Sequence, residues 1–285
     1  MNLQKTVPYL QVAPLAIIMI LLVGLPVGTI VVISFWTSDG ISIYPAFSFE
    51  NYREIFTSYL TVSLFFSTIK FALLTLIASL LIGFTCSYFL VFYVRNLSVK
   101  IGLFLLCTVP FLTSNIIRMI SWIPFLGREG VFNTALISAG VIDTPLDVLL
   151  YSDFAVVLTY VYLFTLFMIV PIFNSMAKID PSVIEAAKDA GAGPLMILTN
   201  IIIPLTKTGI ALGSIFVVTL VMGDFFVVKI MSGGQSASVV SAMKNDIDQL
   251  YYTQASALAV LLIVVVILMI SVILRVVDIR AELAK

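Results

Sequence analysis

Six stretches of this chain are apolar almost without interruption, and each is long enough to cross a lipid bilayer. A spanning helix needs about 20 predominantly apolar residues. The runs cover about 14–36, 62–94, 101–125, 154–176, 205–230 and 255–277. What remains is too little polar chain to clothe a water-facing globule. Only 11% of residues are charged and 61% are hydrophobic, where a soluble domain carries about a quarter charged residues. The solvent for most of this surface is therefore lipid. The expected fold is all-α, a six-helix transmembrane bundle forming a single domain over residues 1–285. The second run exceeds one crossing and predicts a tilted or protruding helix. The first lacks a small-residue cleavage signature and is too long for a signal-peptide core, so it reads as a retained anchor.

Several chemistries are excluded. With no histidine, triads and metal sites built on imidazole are unavailable. Cys86 and Cys107 lie inside apolar runs and form no CxxC pair, which speaks against a zinc site or a disulfide framework. Neither a GxSxG elbow nor a GxxxxGK[ST] phosphate loop occurs. A formal net charge of +0 without a basic tract offers nothing to nucleic acid. The expectation is a chain with no catalytic site and no cofactor or metal of its own, whose surroundings are the bilayer and other proteins.

Six crossings put both termini on one side. That side also receives the 95–100 turn and the 178–204 connection. It collects Lys5, Arg95, Lys100, Lys178, Lys188, Lys207, Arg275, Arg280 and Lys285, nine of the fifteen Lys and Arg. The opposite loops, about 37–59, 127–151 and 232–252, carry Asp39, Glu50, Glu54, Glu129 and further acids. Basic residues mark the cytoplasmic side, so both termini are expected there. Gly24 with Gly28 and Gly209 with Gly213 sit at the spacing that lets membrane helices approach closely. Pro110 and Pro171 are expected to kink their helices.

The connection between the fourth and fifth runs is the most informative segment. It begins Ile179-Asp180-Pro181-Ser182-Val183-Ile184-Glu185-Ala186-Ala187-Lys188-Asp189-Ala190-Gly191. Asp180 is a natural N-cap and Pro181 a natural first helical residue. Good helix formers follow, and Gly191 is a natural stop. A second short helix is expected from Pro194 until Pro204 redirects the chain into the next span. The pair would form a helix–turn–helix whose small side chains beside one carboxylate suit another protein's groove. On the residues alone, an ordinary solvated loop with capped helical ends explains the segment equally well.

The segment resembles the EAA loop of type I ABC importer permeases, in which Glu-Ala-Ala is followed by three residues, Gly, nine residues, and Ile-x-Leu-Pro. Glu185, Ala186, Ala187, Gly191, Ile201 and Pro204 fall in that register, with Ile203 in place of leucine. Arg118-Met119-Ile120-Ser121-Trp122 with the Leu126 to Asn133 segment, and Gly223-Asp224-Phe225-Phe226 leading to Ser232-Gly233-Gly234, resemble the spermidine/putrescine branch. The resemblance implies a type I permease fold in a bacterial inner membrane, with a cytoplasmic coupling loop. It also implies two ATPase subunits that carry ATP and Mg, a second and different permease subunit, and an extracytoplasmic solute-binding protein. The implied cargo is a polyamine or related cation, with importers of opines, phosphonates and iron sharing versions of the branch motifs. Glu185 is the expected polar contact to the ATPase.

Ionisable residues within spans are costly and mark pathways or internal pairs. The candidates are Lys70, Arg118, Asp224 and Lys229. Asp224 beside Phe225 and Phe226 would suit an ammonium group. Equally, it could pair internally with Lys229, Lys70 or Arg118. A secondary transporter or channel using Asp224 as a proton or cation site is the competing class. Arg118 and Trp122 are i,i+4 neighbours that form either a gate or an interfacial anchor, and the anchor is preferred.

Overall fold

The computed structural model describes residues 12–38 and 42–277. Lys5, Asp39, Arg280 and Lys285, which entered the orientation argument, lie outside the described residues. Among the described residues five helices are long and apolar enough to span: α1 (Val12–Ile33), α3 (Tyr59–Tyr93), α6 (Asp153–Met176), α8 (Pro194–Met222) and α11 (Tyr252–Val277). The shorter helices are α2 (Glu50–Thr57), α7 (Pro181–Asp189), α9 (Phe226–Met231) and α10 (Val239–Asp248). One antiparallel pair joins β1 (Thr37–Ser38) to β2 (Ile43–Tyr44).

The third expected span is corrected. The run 101–125 is not one continuous helix. It is divided between α4 (Leu97–Leu112) and α5 (Asn115–Ser138), which are bent by 94°. Pro110 lies in a 3₁₀ turn over Val109–Leu112, and Thr113 and Ser114 then turn extended. Proline lacks the N–H that would continue the ladder, and the chain leaves the helix one turn later. Hydropathy registers the apolar run but not its direction. α5 is itself three short helices, Asn115–Ile120, Trp122–Leu126 and Val131–Ser138.

The fifth span is corrected at both ends. Pro204 does not redirect the chain: α8 runs unbroken from Pro194 to Met222. A π turn over Leu198–Ile202 immediately precedes Pro204. A wider turn accommodates the proline ring, which would clash with the carbonyl four residues earlier in an α-helix. At the other end, the expected continuation to Ile230 is interrupted at Gly223–Phe225, and α9 begins at Phe226.

The described residues form two compact units. The first comprises 12–63 and 242–264. Within it, Asn51 is buried and donates Nδ2 to the carbonyls of Ser34 and Trp36, each at 2.9 Å. These carbonyls lie just past the end of α1, where helix acceptors lack partners of their own. Phe35 stacks on Phe47 at 5.0 Å and meets Phe49 edge-on at 5.4 Å. Gln254 Nε2 donates to Glu54 at 2.8 Å.

The second unit comprises 64–241 and 265–277, and α6 packed on α8 is its centre. In lipid, helices associate by close packing rather than by expulsion of water, so small residues mark the contact. A Cβ on Gly209 would overlap the carbonyl oxygen of Pro171 and lie 2.8 Å from the Cβ of Ser175. Met168 fits between two glycines: Cβ atoms on Gly83 of α3 and Gly213 of α8 would each come within 2.7 Å of its side chain. The expected close approach at Gly209 and Gly213 is thus to α6. By contrast, a Cβ on Gly28 would meet nothing. Ser87 Oγ also donates to the Ile169 carbonyl at 3.1 Å, tying α3 to α6.

Candidate functional site

Two places in the second unit carry the residues singled out by sequence. The first is α7 and its surroundings. Asp180 caps the helix, accepting the Ser182 N–H on Oδ1 at 2.9 Å, and Pro181 opens it. That backbone N–H, with further bonding to the same residue, holds the Asp180 carboxyl below its usual range. Lys188 occupies the last turn, where a cation meets the helix dipole favourably. The helix closes through the Ala192 N–H on the Ala187 carbonyl at 2.9 Å, with Gly191 at φ +84°. A side chain there would be strained although nothing crowds it.

Glu185, Ala186, Gly191 and Pro204 are exposed, while Ala187 and Ile201 are half-buried. The predicted helix and stop are therefore present, with the carboxylate offered outward from a surface of small side chains. Glu185 and Lys188 also line a cleft of about 900 Å³ together with Tyr88, Tyr93, Arg95 and Lys100. Lys100 Nζ donates to the Val91 carbonyl at 3.1 Å. The 95–100 turn and the 178–204 connection, assigned to one side by their basic residues, meet at this cleft. The sequence carried the charges but gave no sign that they converge.

The second place is the helix break at Gly223–Phe225. Asp224 stands in it and accepts the Val227 N–H on Oδ1 at 2.8 Å, capping α9. Tyr160 of α6, fully buried, donates its hydroxyl to the same Oδ1 at 3.3 Å and reaches the Asp224 carbonyl at 3.5 Å. Phe225 and Phe226 meet edge-on at 5.7 Å. None of the basic residues proposed as internal partners bonds Asp224. Lys70 pairs with Asp153 at 2.6 Å, and Asp153 also accepts the Ser236 hydroxyl at 2.6 Å. Lys229 is exposed. Irregular backbone within a membrane is tolerated only where protein buries it or water reaches it. Tyr160 escaped the sequence reading; its only signal was a hydroxyl inside an apolar run, which needs a partner when buried.

Arg118 is 5% exposed. Its Nη2 donates to Asn115 Oδ1, and its guanidinium lies 5.6 Å from the Phe111 ring centre. Trp122 packs edge-on against Phe125 and Tyr162, both at 5.6 Å. Arg118 Nε and Trp122 Nε1 are buried without a hydrogen-bond partner among the described residues. Arg118 is thus buried at the bend, with Trp122 half-buried close to it in sequence.

The family of binding-protein-dependent transport system inner membrane components matches over residues 79–282. The chain is 33% identical over 227 residues to the spermidine/putrescine transport system permease protein PotB of Escherichia coli (strain K12), covering 79% of this chain and 81% of that one. It is 31% identical over 231 residues to the PotB of Haemophilus influenzae, covering 80% and 79%. A putative 2-aminoethylphosphonate transport system permease protein, PhnU of Salmonella paratyphi A, is 27% identical over 217 residues, covering 75% and 74%. Among solved structures, a chain of a bacterial alginate ABC transporter, in complex with an alginate pentasaccharide-bound periplasmic protein, superposes with a TM-score of 0.71. It covers 95% of this chain and 94% of that one at 14% identity, a likeness of fold.

Proposed function

The chain belongs to the binding-protein-dependent transport system inner membrane components, and from that premise we propose that its cargo is a polyamine of the spermidine/putrescine class. It is a multi-pass inner-membrane permease subunit of an ABC importer, a transport component rather than an enzyme. The observation that carries the cargo reading is the 33% identity to PotB across most of both chains. The site at the helix break supports it chemically, because a carboxylate with no cation paired to it among the described residues attracts an ammonium group.

In the assembly we infer, two ATPase subunits bind ATP and Mg on the cytoplasmic side. A second permease completes the pathway, and an extracytoplasmic binding protein delivers the solute. Both termini of this chain are cytoplasmic. α7 is the element that engages the ATPase, with Glu185 as its principal polar contact and Gly191 setting the turn into α8. Since α8 is one continuous helix from Pro194 to Met222, a push delivered through the Gly191 turn to its start reaches the break at Gly223–Phe225 with no further loop between. In that way a single lever biases a two-state packing of helices.

A second reading rests on Arg118. Its buried, incompletely bonded guanidinium could receive an anion, which favours a zwitterionic cargo such as an aminophosphonate. The deciding experiment reconstitutes the complete complex in proteoliposomes and measures ATP hydrolysis with the binding protein and candidate solutes. Spermidine or putrescine should stimulate hydrolysis and be imported, and Glu185→Lys should abolish both while the protein remains inserted. Stimulation by 2-aminoethylphosphonate but not by polyamines would overturn the cargo reading. Unimpaired import by Glu185→Lys would overturn the coupling role.

A further inference from the structure

The carboxylates of Asp153 and Asp224 are held in opposite ways. Asp153 is neutralised by the ammonium group of Lys70 at 2.6 Å, and so has no charge left to offer. Among the described residues Asp224 is held by neutral donors: the Tyr160 hydroxyl and the Val227 N–H, both on Oδ1, with the Phe226 N–H beside them. Neutral donors fix a carboxylate without cancelling its charge. The Val227 bond comes from the short helix that follows the break. The Tyr160 bond crosses from α6, 64 residues earlier in the chain. Tyr160 is itself fixed: it is fully buried, and its ring stacks on Phe164 with centres 5.7 Å apart and planes 20° from parallel. Its hydroxyl also reaches the Asp224 main-chain oxygen, so one side chain holds both the acid and the irregular backbone that presents it.

We propose that Tyr160 is a positioning residue for cargo, holding the Asp224 carboxylate oriented at the helix break to receive an ammonium group. This rests on the polyamine reading. A lysine or arginine in its place would hold the carboxylate equally well but would neutralise it. An apolar residue would leave it free to rotate.

The test compares Tyr160→Phe, Asp224→Asn and the double variant in the complete complex in proteoliposomes, counting spermidine molecules imported per ATP hydrolysed. A hydrogen bond to a charged group is worth about tenfold at the weak end of its range, and the 3.3 Å length places this one there. Tyr160→Phe should therefore lower import per ATP about tenfold. In the Asp224→Asn background it should lower it no further, since residues acting through one contact are not additive. If import and hydrolysis fall together with the ratio unchanged, Tyr160 is structural and the proposal fails. An additive loss in the double variant also overturns it. If Asp224→Asn is impaired while Tyr160→Phe is normal, Tyr160 alone is refuted. If Asp224→Asn imports spermidine normally, the cargo site itself has been misassigned and Tyr160 falls with it.

Discussion

Replacing Gly209 by alanine adds one methyl group at the closest approach of α8 to α6. That methyl would overlap the Pro171 carbonyl oxygen and lie 2.8 and 2.9 Å from Cβ and Oγ of Ser175. Comfortable carbon contacts need about 3.5–4.0 Å. Ser175 Oγ could move aside by a rotamer change, but the Ser175 Cβ and the Pro171 oxygen are fixed by the helix backbone and cannot. The helices must separate, and the separation would be felt at Gly213, one turn along, where Met168 is already wedged. Overpacking of this kind costs about 1–3 kcal/mol. Alanine's better helix propensity returns about 0.5–1 kcal/mol. A net loss of about 1–2 kcal/mol follows. At roughly 2–4 °C per kcal/mol for a chain of this order of size, the thermal midpoint of the solubilised protein should fall by about 2–8 °C. Gly102→Ala is the control, because a methyl there meets nothing within 4 Å and should leave the midpoint unchanged or slightly raised. A Gly209→Ala protein as stable as wild type would refute the close approach, and with it the account of how α6 and α8 associate.

Gly191→Ala places a side chain at φ +84°, a strain of roughly 1–2 kcal/mol. It should weaken retention of the ATPase subunit during purification, and Gly191→Pro should abolish it, because proline cannot reach a positive φ. Asn51→Ala leaves the Ser34 and Trp36 carbonyls without their donor. It should destabilise by about 1–3 kcal/mol, read as a lower thermal midpoint, whereas Ser48→Ala, at an exposed bond, should not. Asp180 is held below its usual carboxyl range by the Ser182 N–H. Its capping contribution is therefore present above the ordinary aspartate range and lost as pH falls through the depressed value. Amide exchange in the first turn of α7 should increase, relative to the intrinsic rate, on acidification in wild type. Asp180→Asn should show no such step.

The spans were legible because lipid solvates only apolar, internally bonded backbone, so hydropathy alone locates α1, α3, α6, α8 and α11. α7 was equally plain, since capping by Asp180, a first-turn Pro181 and a stop at Gly191 act within a few residues of one another. Direction was not legible. The bend between α4 and α5 leaves the apolar composition of 101–125 unchanged, and the π turn before Pro204 lets a proline sit in a continuous rod. Partnership was not legible either. Lys70 and Asp153, or Tyr160 and Asp224, lie 83 and 64 residues apart. Their pairing depends on how α3, α6 and α8 pack, which Gly83, Gly209 and Gly213 permit but do not announce. By itself the sequence determined that the chain spans a membrane, where most of its apolar runs lie, and which loop is shaped to meet another protein. Only the tertiary structure decided which charges pair and which carboxylate is held by neutral donors instead, because that choice rests on contacts between helices whose order in the chain says nothing about their neighbours.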